Sequence, residues 1–144
     1  MLYGQKLEHF AERIATILHS KQYRRDGKTP YIEHPRRVVE RIRQKYPKNS
    51  VLVAIAWLHD VLEDTPMTLD DLQFFDFPNE VIVSVFVLTK GKNYNVYLSN
   101  VMNYQLARLV KIEDILDNLN DDPSPRQKKK YIKALQRLGY KDNV

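Results

Sequence analysis

The chain contains no cysteine among its 144 residues and only four glycines. The absence of cysteine excludes a disulfide-held scaffold, thiol catalysis and any cysteine-ligated zinc or iron–sulfur centre. No charged segment followed by an apolar stretch opens the sequence, and the longest apolar run, 51–58, is too short to span a bilayer. We therefore expect a cytoplasmic protein with no membrane partner, and the length fits a single domain over residues 1–144.

Positive charge is in modest excess over negative charge. Lysine and arginine total 23 against 18 acidic residues, which gives a net charge of +5. The excess favours an anionic partner such as a nucleotide, although taken alone it is more typical of a basic soluble surface. Three consecutive lysines at 128–130 are typical of a solvated helix face, because only Tyr131 is interleaved for base stacking. A nucleic-acid partner is therefore not expected, and the sequence predicts no oligomeric state.

Helical periodicity dominates the sequence and predicts an all-α bundle. Apolar spacing, capping residues and breaks predict helices at 2–20, 34–46, 50–64, 68–72, 78–88, 94–102, 105–120 and 124–139. The first helix is expected to bury a stripe of Leu7, Phe10, Ile14, Ile17 and Leu18. The third is apolar almost all round, which is typical of a buried central helix. A strand is the competing interpretation of its β-branched part.

Four ionisable residues, His59, Asp60, Glu63 and Asp64, stand at the end of this apolar helix. In a continuous helix His59 and Glu63 share one face, and the two aspartates form the neighbouring row. Burying such groups is costly unless they are paired or bind a metal. The simpler interpretation is a helix end that enters solvent, although carboxylates at that end oppose the helix dipole.

The helix predicted at 105–120 carries Lys111, Asp114 and Asn118 on one face, three and four residues apart. An acidic group flanked by a lysine and an amide suits a ligand or substrate contact. Spacing alone slightly favours an ordinary solvated face instead.

A basic loop at 21–31 precedes His34 and carries Lys21, Arg24, Arg25 and Lys28. Arginine-rich loops bind phosphates well because a guanidinium makes bidentate contacts. A solvated surface loop is the alternative. We interpret His9 and His19, both on the first helix, as structural or surface residues rather than as metal ligands.

Taken together, these motifs resemble the hydrolase domain of the RelA/SpoT family of HD-domain phosphohydrolases. The resemblance rests on YIEHP at 31–35, HDVLEDT at 59–65, Thr89-Lys90, VKIED at 110–114 and Asn118. A bare His-Asp pair is weak evidence, whereas HDVLEDT with correctly ordered upstream and downstream motifs is specific. The match runs from about the first helix through Asn120 and so covers most of the chain.

The resemblance implies an HD-domain helical bundle with a central buried metal site. One divalent ion, typically Mn²⁺ in this family, would be bound by His34, His59, Asp60 and Asp114. The catalytic residues that position or activate the attacking water would be Glu63 and Asp64. Arg24 would lie near the guanine base. The residues near the ribose and phosphates would be Lys28, Lys111 and Asn118. The family reaction removes pyrophosphate from the 3′ position of (p)ppGpp.

Several positions depart from the family pattern. Glu113 stands where the family usually has a small residue, and Ile115 where it commonly has arginine. Asp117 stands where histidine or tyrosine is common, and Val87-Leu88 replaces a glycine before Thr89. We expect these departures to affect nucleotide contacts more than the metal site. The chain has no room for a synthetase domain after the hydrolase and resembles the small, stand-alone members.

The leading interpretation is a metal-dependent phosphohydrolase of a phosphorylated nucleotide, with (p)ppGpp as the first candidate. The alternative within the enzyme class is an HD-type hydrolase of another phosphoester, such as a 5′-nucleotidase acting on deoxynucleoside monophosphates. The alternative from another class is a nucleotide-binding protein with a decayed site. The intact ligand positions, together with Glu63 and Asp64, argue against decay.

Overall fold

The computed structural model describes residues 1–141, which form nine α-helices. The helices are α1 (Gly4–Leu18), α2 (Glu33–Lys45), α3 (Ser50–Leu58), α4 (Val61–Asp64), α5 (Leu69–Phe74), α6 (Asn79–Val87), α7 (Tyr94–Asn103), α8 (Gln105–Leu119) and α9 (Pro125–Arg137). Within these residues, β structure is limited to an isolated bridge between Tyr23 and Pro30. The predicted all-α fold is confirmed, and each predicted helix has a counterpart, one of them split in two.

Polar side chains fix several helix starts. Asn49 and Asn93 accept hydrogen bonds from backbone N–H groups in the first turns of α3 and α7. Thr68 and Ser124 form reciprocal capping boxes at the starts of α5 and α9. A cap of this kind stabilises a helix by about 1 kcal/mol. These local interactions explain why the helix starts could be predicted from the sequence.

Helix α3 is central and contacts α1, α2, α6 and α8. Its residues 52–58 are all buried, as predicted for a helix that is apolar all round. Because α3 is enclosed by its neighbours, its C-terminus delivers the following residues to the interior of the bundle. Across residues 1–141 no helix combines the length and the apolar character needed to cross a membrane.

The predicted continuous helix at 50–64 is wrong. Helix α3 ends at Leu58, and α4 begins at Val61. Nδ1 of His59 donates to the Ala56 carbonyl oxygen at 2.6 Å. In an uninterrupted helix that carbonyl would accept from the backbone N–H of Asp60, whose backbone instead has φ −107° and ψ 0°. His59 and Asp60 therefore occupy a junction between two helices, and His59 does not share a helix face with Glu63.

The predicted apolar stripe of α1 is partly wrong. Leu7 and Ile14 are buried, but Ile17 is 66% exposed. The buried face includes Leu7 and Ala11, and Leu18 packs beside it; Ile17 is turned from Leu18 by about 100° around the helix axis. The side chain of Ile17 therefore faces solvent.

Candidate metal centre and cavity

Four side chains from distant parts of the sequence converge at the end of α3. His34 comes from α2, His59 and Asp60 from the α3–α4 junction, and Asp114 from α8. Each offers one ligand atom, and these four atoms lie within 4.8 Å of one another. Asp60 is partly buried and the other three are buried. The structure thus brings together all four residues that the resemblance assigns to a metal.

The donor set and the state of His59 fit a metal ion. Since Nδ1 of His59 donates to Ala56, Nε2 of the neutral ring carries a lone pair. Nε2 is buried without a hydrogen-bond partner among the described residues, yet lies 3.0 Å from Asp60 Oδ2 and 3.3 Å from Asp114 Oδ1. A lone pair facing two carboxylates requires a proton or a cation between them. Mixed imidazole and carboxylate ligands suit a divalent ion, which these residues could hold.

His34 is held from both sides. Its Nε2 lies 2.7 Å from Asp114 Oδ1, and its Nδ1 lies 2.6 Å from Asp117 Oδ2. Arg37 in turn donates through Nε to Asp117 Oδ1 at 2.8 Å. Among the sequence departures, Asp117 was expected to affect nucleotide contacts, but its side chain lies behind the metal centre and contacts a ligand residue.

The buried carboxylates raise the pKa of both histidines. Burial lowers the pKa of His34, but its hydrogen bonds with Asp114 and Asp117 outweigh burial and raise the pKa. In His59 the charges of Asp60 and Asp114 likewise outweigh burial, and its pKa is raised well above the ordinary value. A divalent cation bound among these groups would compete with protons for the same atoms.

The four residues form the floor of a cavity of about 280 Å³. Its walls carry cationic and aromatic side chains, namely Arg24, Arg25, Lys90, Lys111, Lys130, Tyr31, Tyr94, Tyr97 and Tyr131. Arginine and lysine bind phosphate oxygens, and aromatic rings provide flat apolar contacts. Cationic walls above an acidic floor suit a polyanionic ligand that also contacts a divalent ion.

Lys111 and Asn118 both line the cavity and both contact Asp114 of the candidate metal centre. Nζ of Lys111 donates to Asp114 Oδ2 at 2.8 Å, and Nδ2 of Asn118 donates to Oδ1 at 3.4 Å. Burial lowers the pKa of Lys111, but the adjacent Asp114 charge reverses this and raises the pKa well above its usual value. The ammonium group is therefore charged although Lys111 is only 8% exposed.

Arg24 reaches the cavity, whereas Lys28 does not. Arg24 donates through Nε to Asp121 Oδ2 at 2.8 Å and through Nη2 to Asn118 Oδ1 at 3.0 Å. Lys28 is exposed, in a turn whose backbone N–H groups donate to Asp26. Of the four residues expected to contact nucleotide, the structure thus places three around the cavity and leaves Lys28 outside it.

Glu63 and Asp64 stand beside the metal centre. Carboxylate oxygens of both residues and of Asp60 lie within 4.8 Å of one another, and all three residues line the cavity. Oε1 of Glu63 also accepts a hydrogen bond from the backbone N–H of Lys90 at 3.0 Å. Burial and the charges of Asp60 and Glu63 raise the pKa of Asp64, which makes it a stronger base than an ordinary aspartate. Asp64 can therefore accept a proton from a molecule in the cavity, and Glu63 lies beside it.

Several residues around the centre were not assigned a role from the sequence. The hydroxyl of Tyr31 donates to the Asp60 carboxylate. Lys130, interpreted as part of a solvated face, lines the cavity with Nζ 4.3 Å from the Tyr94 ring centroid. Gln127, Lys130 and Tyr131 are three and four residues apart, so they share one face of α9. That spacing was available in the sequence, but nothing in it indicates which face covers a cavity.

Comparison with known proteins assigns this arrangement to a family. Over 104 residues the chain is 36% identical to a guanosine-3′,5′-bis(diphosphate) 3′-pyrophosphohydrolase of Haemophilus influenzae, an alignment that covers 71% of the chain and 15% of that protein. Over 119 residues it is 31% identical to the enzyme of that name, MESH1, of Xenopus tropicalis, with 77% of the chain and 66% of the relative covered. The chain belongs to this pyrophosphohydrolase family. MESH1 of Drosophila melanogaster gives 30% identity over 118 residues, with 76% and 65% covered.

The chain spans about two thirds of the MESH1 relatives and 15% of the Haemophilus protein. No model of a known protein family matches it. A solved structure of a metazoan SpoT ortholog superposes with a TM-score of 0.79 at 23% identity, covering 96% of this chain and 86% of the other. This likeness confirms the expected HD-type helical bundle.

Proposed function

We propose that the protein is a metal-dependent phosphohydrolase that removes pyrophosphate from the 3′ position of (p)ppGpp. The observation that carries the proposal is the convergence of His34, His59, Asp60 and Asp114 on the floor of a cavity with cationic walls. A substrate with two diphosphate groups needs cationic contacts as well as a divalent ion. The names of the relatives support this substrate.

The four ligand residues would hold one divalent ion, and their mixed nitrogen and oxygen donors suit several such metals. We propose Mn²⁺ because it is typical of the family that the sequence resembles. When bound, the ion supplies Lewis acidity that polarises a phosphoryl oxygen. The chain would act as a single hydrolase domain over residues 1–144, in the cytoplasm.

Other residues that line the cavity act in proton transfer or in binding of the nucleotide. Glu63 and Asp64 orient the attacking water and accept its proton. Arg24, Lys111 and Asn118 bind the nucleotide, with the guanine base near Arg24. Lys90 and Lys130 also line the cavity and add cationic contacts for phosphate. The exposed position of Lys28 gives no support for a nucleotide contact by that residue.

A hydrolysis screen with product identification tests this proposal. The protein, supplied with Mn²⁺, is incubated separately with ppGpp, pppGpp and a set of deoxynucleoside monophosphates. We expect GDP and pyrophosphate from ppGpp, and little turnover of the monophosphates. Orthophosphate released from the monophosphates, without turnover of ppGpp, would instead identify a 5′-nucleotidase. No turnover of any compound by metal-loaded protein would favour a binding protein with a decayed site.

Replacing Arg24 with alanine is expected to raise KM for ppGpp by about tenfold or more while kcat changes little. Hydrogen bonds to a charged group contribute about 1.5–3 kcal/mol, and contacts to the nucleotide are similar in the ground and transition states. Steady-state kinetics of Arg24→Ala checks this expectation.

Two control variants separate substrate binding from a structural role of Arg24. Arg13→Ala removes an exposed arginine from α1 and should leave KM unchanged. Asp121→Asn weakens the ion pair that Arg24 makes in the structure but keeps the guanidinium. If Arg24 serves only to hold its loop to Asp121, Arg24→Ala and Asp121→Asn will give the same small change in KM. That result would contradict a nucleotide contact by Arg24.

A further inference from the structure

Asp117 is a buried carboxylate beside the metal centre but is not one of the four residues that converge there. It is 3% exposed, and its Oδ2 lies 2.6 Å from Nδ1 of His34. The hydrogen bond between these atoms fixes a proton on Nδ1 of the neutral ring, because the carboxylate can only accept. Nε2 lies 2.7 Å from Asp114 Oδ1, so a proton or a cation must stand between these atoms, and when a cation does, Nε2 carries the lone pair that binds it.

Arg37 holds Asp117 in place. Its Nε donates to Oδ1 at 2.8 Å and its Nη2 donates to Oδ2 at 3.1 Å, so the two planar groups meet in a forked contact. Such a contact fixes the orientation of the carboxylate, and the guanidinium offsets the cost of burying the negative charge. The Arg37 side chain is 38% exposed and links the buried carboxylate to the surface of the bundle.

We propose that Asp117 is a positioning residue for the metal centre, and that Arg37 acts through it. The Arg37–Asp117–His34 chain sets the tautomer and the direction of the His34 ring, so that Nε2 points toward the ion. A carboxylate behind a ligating imidazole also increases the basicity of the ligand nitrogen. The inference rests on the proposed metal site.

Titration of the purified protein with Mn²⁺ in the absence of substrate, with free Mn²⁺ followed by electron paramagnetic resonance, tests the proposal. Loss of a carboxylate of this kind typically weakens metal binding about 10–100-fold, which we expect for Asp117→Ala. Asp117→Asn keeps an oxygen that can accept from Nδ1 and should recover part of the affinity. Arg37→Gln should weaken binding in the same direction as Asp117→Ala.

Two variants distinguish positioning from a general loss of stability. Ile115→Val shortens a fully buried side chain on the same helix, which lowers stability but leaves in place the two carboxylates that contact His34. Asp122→Asn makes the same charge change at an exposed site where the backbone φ of 49° suits asparagine. Both should bind Mn²⁺ like the wild type.

Wild-type affinity in folded Asp117→Ala protein would overturn the inference. An equal loss of affinity in Ile115→Val would do the same. A wild-type protein that binds no Mn²⁺ would overturn the proposed metal site itself, which keeps the two failures distinct.

Discussion

Replacing His59 or Asp60 with alanine is expected to remove the bound metal and lower turnover by on the order of 10³-fold or more. Each side chain contributes one of four ligand atoms gathered within 4.8 Å. Lewis acidity contributes several kcal/mol to transition-state stabilisation, and each 1.36 kcal/mol changes a rate tenfold. Elemental analysis and turnover of ppGpp, measured on the same samples, check the expectation.

His9→Ala is the matched control because His9 is an exposed histidine on α1, away from the cavity. It should retain wild-type metal content and turnover. Chelation of the wild-type protein should reproduce the defect of the ligand variants, and Mn²⁺ should restore activity best among divalent ions. Full activity in His59→Ala, or in protein shown to be free of metal, would exclude the proposed role of the centre.

Glu63→Gln and Asp64→Asn are expected to lower kcat by about 10²–10⁴-fold while metal content stays near the wild-type level. The amides keep the size of the side chains but cannot accept a proton. In Glu63→Gln, the amide oxygen can still accept the hydrogen bond from the backbone N–H of Lys90, so the loop that follows α6 should keep its position. The loss should therefore appear in kcat rather than in stability.

Glu80→Gln and Asp70→Asn change exposed carboxylates outside the cavity and serve as controls. Metal content, melting temperature and kcat are measured on each variant. If Glu63 and Asp64 only stabilise the fold, their variants will melt at lower temperature and keep most of their turnover. A wild-type kcat in both would end the catalytic assignment.

The helices could be predicted because the interactions that form them are local. Thr68 and Ser124 cap helices through contacts within a few residues, and the apolar composition of α3 alone indicates its central position. The break between α3 and α4 could not be predicted in the same way. At this break Nδ1 of His59 donates to the Ala56 carbonyl oxygen, and a helical pattern of apolar residues does not indicate such a side-chain contact.

The candidate site was predictable only where a motif marked it. The four ligand residues were identified through their resemblance to a family pattern, because spacing alone slightly favoured a solvated face for Asp114. Asp117 contacts His34 from 83 residues away, and no local signal pairs them. The expectation for Lys28 came from the same resemblance, but its turn places the side chain outside the cavity.

Release of pyrophosphate from ppGpp by metal-stripped protein, before and after addition of Mn²⁺, tests the central claim most directly. The proposed centre predicts no release from the stripped protein. It predicts that adding Mn²⁺ starts the release of one pyrophosphate per nucleotide, with GDP as the other product. Undiminished release without the ion, or no release with Mn²⁺ bound at the centre, would contradict the proposed function.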